Sequence, residues 1–422
     1  MPKNDNIDTL IKQAVFETDL QKKTELYQNI RKTALDLGIY PASIQDFYMA
    51  AGKGEFSGIT VPAINIRMIT YDVARAVFRA EIKDSVGALI FEIARSEIGY
   101  TAQKPAEYAA CVLAAAIEEG FRGPVFIQGD HFQVNRAKYL DNPENELKAI
   151  KELVKESIEA GFYNIDIDAS TVVDISKSDL TEQQEKNTQV TAEMTRFIRS
   201  IEPKGVTVSV GGEIGEIGKG NSTVEDLRAF MDGYLSQLPK DTKGISKISV
   251  QTGTTHGGVV LPDGSIAKVK IDFDTLKELS KIARSEYGLG GAVQHGASTL
   301  PDEAFDMFPK VETIEVHLAT GFQNIVYDSP RFPKDLLERI YSHLKEHNIN
   351  ERKEGQTEEQ FLYNTRKKAL GPFKKEMWNL PKADLQVIMA ELEERFTLMF
   401  NKLNATNTVK LVEKYVGSTS PK

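Results

Sequence analysis

Cysteine is nearly missing from this sequence. Cys111 is the single one among 422 residues, so no intrachain disulfide forms and the fold must rest on its core. It lies in the apolar run YAACVLAAAIEEG, where a free thiol reads as a packed core group. A basic excess is missing too: 52 Lys and Arg face 61 Asp and Glu, a formal net charge of −9. That balance argues against a nucleic-acid partner, while a few local cations and backbone N–H groups still suffice for a small anionic ligand. No apolar stretch approaches the ~18–20 residues that span a bilayer. The opening MPKNDNIDTLIKQ lacks the apolar core of a signal peptide, so the expectation is a cytoplasmic protein with no membrane partner. Short-period repeats, heptad runs and low-complexity tracts are absent as well. A hydrophobic content of 41% and a charged content of 27% exclude a disordered chain.

What is present changes texture along the chain. Residues 7–50 carry apolar positions at three- and four-residue spacing and read as helices, with Gly38 and Pro41 as the stop. From about 58 to 330, short β-rich runs alternate with amphipathic stretches. The strand candidates are ITVPAINI, GALIFEIA, PVFIQGD, NIDIDAS, GVTVSVGGEIG, KISVQTG, GAVQHG and TIEVHLA. Helical stretches such as DVARAVFRAEIKD, ENELKAIKELVKESIEAG and PDEAFDMFPKV separate them. Eight strands with seven such connections predict an α/β fold, a (β/α)8 TIM barrel over 58–333. N-terminal (1–57) and C-terminal (334–422) helical extensions flank it, packed on the barrel or at a subunit interface. The charges of the last segment, including Arg366, Lys367, Lys368, Lys374 and Lys375, read as a solvated helix face in preference to an anion site.

Barrel enzymes carry their chemistry at the C-terminal ends of strands. Four of the six histidines end or follow strand candidates: His131, His256, His295 and His317. His343 and His347 share a charged helix and read as surface residues. One histidine after a strand is ordinarily a hydrogen-bonded structural residue; four in that position favour a zinc site, because three imidazoles leave a coordination position open. The competing reading is four neutral barrel histidines without metal. Gly129, Gly253, Gly257, Gly258 and Gly296 let backbone approach such a centre, and Asp130 and Glu213 bring acids to the same mouth.

Residues 60–330 resemble the class II, zinc-dependent ketose-bisphosphate aldolases. Asn65 of VPAINIR falls on the asparagine of their first strand, and Ser96 on the serine of their second. Asp130-His131 matches their Asp-His pair; Asp168 and Ser170 match Asp-Gly-Ser, and Asn187 and Thr191 the helix that follows. Glu213-Ile-Gly, Gly253-Thr-Thr-His256-Gly and His295-Gly-Ala-Ser298 match Glu-Leu-Gly, Gly-Thr-x-His-Gly and His-Gly-Gly-Ser, in order. The resemblance implies His131, His256 and His295 as ligands of Zn2+ or another divalent transition metal, with Glu213 holding an alternative metal position or orienting a ligand. It implies Asp130 as the acid/base at the C4 hydroxyl of a ketose, and Gly257, Gly296 and Ser298 as a phosphate cradle.

The sequence also departs from that family. Asn221 stands eight positions after Glu213 where a second glutamate is usual, with Glu216 in the same loop as its replacement. The last strand places His317, Thr320 and Gly321 on the family's Asn and Thr-Asp, and Asn324 follows further on. A family lysine after the second histidine has only Lys268 or Lys270 as counterparts. His317 is either a proton-transfer or substrate-binding group, or it merely fills the pocket or pairs with Asp328. The expectation is a divergent, homo-oligomeric metal-dependent aldolase acting on a sugar or sugar phosphate. Asp130, Glu216 and His317 are its expected catalytic groups; Asn65, Ser96, Gly257, Gly296, Ser298, Thr320, Gly321 and Asn324 are its expected substrate contacts. A sugar epimerase on the same metal, and a non-catalytic metal- or sugar-binding protein, are the alternatives.

Overall fold

A computed structural model describes residues 7–215, 220–253, 261 and 271–417. The first strand, β1 (Ile39–Ala42), comes from the segment that read as helical. The eight expected strands follow: β2 (Val61–Asn65), β3 (Ile90–Ala94), β4 (Gly123–Gln133), β5 (Asn164–Asp168), β6 (Ser209–Glu213), β7 (Lys247–Val250), β8 (Ala292–Gln294) and β9 (Glu315–Leu318). All pair in parallel in chain order, and β9 returns to β2, so strands β2 to β9 close into a (β/α)8 TIM barrel. Parallel strands covered by helices are buried on both faces, which is why their sequences are apolar runs.

The correction at β1 has a local cause. Gly38, at φ 77°, ends the helix Leu20–Asp36, and Ile39–Ala42 then pairs with Gly123–Phe126 at the start of β4. Strand β5 joins β4 only from Gln128 onward, so the start of β4 has a free edge that β1 covers. Two further differences matter. PDEAFDMFPKV forms two single turns, Asp302–Phe305 and Met307–Lys310. Thr320–Asp328 is a helix, so Asn324 is not on the last strand.

Helices carry their apolar faces to the barrel. In Thr70–Lys83, Val73, Ala74, Val77 and Phe78 are buried, and the Phe78 ring lies 4.9 Å from that of Phe91 on β3. Burying a side chain such as Phe78 contributes about 1.5–3 kcal/mol. Cys111 is fully buried in the helix Pro105–Glu118. The helices Ile7–Phe16 and Leu20–Asp36 pack on Pro105–Glu118, and Lys382–Lys402 packs on Thr70–Lys83. Beyond it, Leu403 O accepts from Thr60 N at 3.0 Å, and Thr408 Oγ1 accepts from Gly87 N at 2.8 Å. Among the described residues no helix is long and apolar enough to cross a membrane.

Candidate active site

Strand β4 does not run straight. Its pairing with β5 slips between Gly129 and Phe132, and His131 adopts φ 40°. In a regular strand Asp130 and His131 would face opposite sides; across this bulge both line one cavity. A non-glycine residue held in the left-handed region costs on the order of 1–3 kcal/mol, which its contacts must offset. Gly129 has its own requirement, since a Cβ there would run into the Phe132 ring.

His131 Nε2 and His295 Nδ1 stand 2.9 Å apart. The far nitrogen of each ring is anchored. His131 Nδ1 lies 3.0 Å from Asp168 Oδ2 and 3.1 Å from Glu213 Oε2, while His295 Nε2 lies 2.9 Å from Ser249 Oγ. Asp168 is itself fixed by the Ser170 hydroxyl at 2.6 Å, and Asn187 Nδ2 donates to Glu213 O at 2.8 Å. Asp130 Oδ1 lies 3.8 Å from His131 Nε2, 4.0 Å from His295 Nδ1 and 3.2 Å from His317 Nδ1.

These residues fit a metal ion. Metal-bound histidines typically turn one nitrogen to the ion and the other to a carboxylate, carbonyl or water. Nitrogens about 2.0–2.1 Å from one zinc ion lie roughly 3.3 Å apart, a few tenths of an ångström wider than this pair. His131, Glu213 and His295 offer an N, O, N set with ligand atoms within 4.8 Å of one another, and so do Asp130, His295 and His317. Such donors suit zinc or a neighbouring transition metal. His256, Glu216 and Gly257 lie outside the described residues, as do Gly258, Lys268 and Lys270.

The electrostatics agree with a cation at this mouth. Burial opposes the imidazolium of His131, yet Asp130, Glu213 and Asp168 hold its pKa well above the usual histidine range. Burial likewise opposes charge on His317, and Glu92 and Asp130 raise it. Burial, with Asp168 adding, pushes Glu213 up to about 7; burial, with Asp130 adding, does the same to Glu92. Asp168 stays below the ordinary carboxylate range: burial opposes this, but hydrogen bonding and charge from His131 prevail. Excess carboxylate charge that stabilises protons on imidazoles also attracts a divalent ion in their place.

A cavity of about 670 Å³ opens from these groups. Asn65, Ser96, Gly296, Ser298 and Thr320 line it with Asp130, His131, His295 and His317. Gly321 and Asn324 are not among its lining residues. A Cβ on Gly321 would strike Ser298 O, and its N–H donates to Ser298 Oγ at 3.2 Å. Asn324 is a correction: its side chain joins Tyr363 Oη at 2.9 Å and Arg366 Nη2 at 2.5 Å, because it sits on the helix packed under the C-terminal segment. Asn221 bonds Asp272 at the surface, 3.1 Å away. Asp328 pairs with Arg366 at 2.7 Å, so it is not the partner of His317.

The basic C-terminal segment is a second correction. Arg366 is buried, Lys374 pairs with Glu107, and Lys367 lines the cavity mouth. Among the described residues Lys367 has no ion pair, and partial desolvation, then the charge of Arg67, lower its pKa. Arg67 lines the cavity too; its Nε donates to Glu97 Oε1 at 2.7 Å and its Nη1 to Thr320 Oγ1 at 3.2 Å. Sequence reasoning also passed over Glu92, Asp166, Lys247 and Glu315. The signal for these was there: IFEIA, NIDID, KISV and EVHL each place a charge in a strand otherwise built for burial.

The family model for fructose-bisphosphate aldolase class-II matches residues 44–391. Among solved structures, the chain resembles fructose-bisphosphate aldolase from Campylobacter jejuni at TM-score 0.52 and 17% identity, covering 88% of this chain and 98% of that one. It resembles the fructuronate-tagaturonate epimerase UxaE from Cohnella laeviribosi at TM-score 0.63 and 10% identity, covering 91% and 86%. At such identities the likeness carries the fold alone. No curated protein sequence matches the chain. The family match runs from ahead of the first barrel strand into the helix Lys382–Lys402, and on that extent the chain belongs to the class II fructose-bisphosphate aldolase family.

Proposed function

We propose that this protein is a metal-dependent aldolase that makes and breaks the C3–C4 bond of a ketose phosphate. One observation carries the reading: His131 and His295 turn nitrogens to each other at 2.9 Å, with Asp130 Oδ1 within 4.0 Å of both, at the inner end of the cavity. His131 and His295, with His256 and Glu213, would hold the ion. A divalent ion there supplies Lewis-acid polarisation of the substrate carbonyl. Asp130 takes the proton from the C4 hydroxyl as the C3–C4 electron pair moves toward C2, and returns it in the synthetic direction. His317, 3.2 Å from Asp130 Oδ1, is the second group within reach of that proton, and Glu216 serves the proton at C3. Asn65, Ser96, Gly257, Gly296 and Ser298 orient the sugar, and Arg67 and Lys367 meet an anionic group at the far end of the cavity. The reading includes a cytoplasmic homo-oligomer with zinc or a related divalent metal.

Release of triose phosphate from fructose or tagatose 1,6-bisphosphate, silenced by chelator and restored by zinc, is the expected result. A second reading, retro-aldol cleavage and re-addition without release, uses the same groups. The resemblance to a fructuronate-tagaturonate epimerase makes uronates the substrates to test for it. Interconversion of epimers with no free aldehyde would favour that reading over the first.

A further inference from the structure

Below the mouth lies a second polar layer that the proposed reaction leaves unused. Gln128, Asp166, Lys247 and Glu315 each stand two residues before Asp130, Asp168, Ser249 and His317 on the same strand. Period-two alternation therefore puts four beneath four inside the barrel. All four lower residues are buried, Lys247 at 1% exposure. Barrel interiors are ordinarily filled with branched apolar side chains, so a lysine and carboxylates here demand a reason.

Glu315 is where the layer converges. Its Oε1 accepts from Lys247 Nζ and from Gln128 Nε2 at 2.9 Å, and its Oε2 accepts from Tyr48 Oη. Lys247 Nζ also donates to Gln128 Oε1 at 2.7 Å and Asp166 Oδ2 at 3.0 Å. Gly211 on β6 leaves the room, since a Cβ there would overlap the Asp166 carboxylate and lie 2.9 Å from Lys247 Cε. Above the layer, His317 Nε2 stands 2.6 Å from Glu315 Oε1, an ion contact off the ideal hydrogen-bond line. That contact holds the Nε2 edge of the ring down against the buried layer. The other nitrogen, Nδ1, is left 3.2 Å from Asp130 Oδ1 and 3.0 Å from Glu92 Oε2.

We infer that Glu315 is a positioning residue for His317, and that Lys247, acting through Glu315, fixes the ring so that Nδ1 faces Asp130. What His317 and Asp130 then do rests on the proposed aldolase reading; the setting of the ring is a property of the free protein. The test uses full-length protein with 15N-labelled histidine, free of metal, with His317→Asn to assign the ring signals. Glu315→Gln is expected to shift the His317 ring nitrogens most, with His295, whose ring centroid lies 3.9 Å from that of His317, following less, and to lower kcat at least 10-fold with KM within about 3-fold. The double variant Lys247→Met/Glu315→Gln removes both charges. Because Asp166 then lacks its lysine, this variant is expected to melt below the wild type yet remain folded and keep the altered His317 signals and low kcat. Unchanged His317 signals in Glu315→Gln, or wild-type kcat in the double variant, would overturn the inference. If the wild type cleaves no sugar phosphate, the nuclear resonance result still decides the positioning claim, and the aldolase reading alone fails.

Discussion

Asp130 and His131 are sequence neighbours with different work, and single substitutions should separate them. Asp130→Asn keeps the two imidazoles and is expected to retain metal while turnover drops by roughly 10² or more, the usual loss when acid/base help is removed. His295→Ala, in contrast, should lose bound metal, read by elemental analysis after gel filtration. Protons compete for the same nitrogens, because neighbouring carboxylates raise the pKa of His131. Metal affinity is therefore expected to strengthen as pH rises, with proton release visible by calorimetry in buffers of different ionisation enthalpy. Glu92 bears on stability with the opposite dependence. Its folded pKa of about 7 lies above the ordinary glutamate value of 4.5, so its contribution is present below the lower value and lost as pH rises through the upper. Metal-free Glu92→Gln should lose less melting temperature than wild type between about pH 5 and about pH 8; equal losses would refute this.

At the scale of elements, what was legible follows from burial. Strands covered on both faces appear as apolar runs, and all eight barrel strands were readable for that reason. β1 was not, because Ile39–Ala42 becomes a strand only where the start of β4 offers a free edge, a fact of pairing and not of local sequence. The bulge at Asp130-His131 was equally invisible, although it is what turns adjacent residues to one cavity. Asn324 misled because the chain leaves β9 at Leu318 and starts a helix at Thr320, so a register argument along the strand had nothing to act on. Lys367 misled for a different reason: its basic neighbours suggested a solvated face, whereas the fold buries Arg366 and leaves Lys367 at the cavity mouth. A charge-assisted contact contributes about 1.5–3 kcal/mol. Lys367→Ala is thus expected to raise KM for a ketose phosphate about 10- to 100-fold with kcat little changed. An unaltered KM would remove Lys367 from substrate binding.

Across the whole molecule, the segments outside the barrel are tied to it. Lys382–Lys402 covers the helix Thr70–Lys83, Leu403 and Thr408 bond the backbone at Thr60 and Gly87, and Lys367 reaches the site. We propose the division at 57 and 333 as one of sequence and topology, with the parts folding together. A chain ended at residue 333 is expected to lose cooperative melting, since buried Phe396, Phe400 and Leu403 leave the core with it. The central claim concerns the assembled site, and coupled detection of triose-phosphate release from fructose and tagatose 1,6-bisphosphates tests it most directly. Cleavage that chelator abolishes and zinc restores is the predicted result. Metal-loaded protein that cleaves neither substrate would contradict the account.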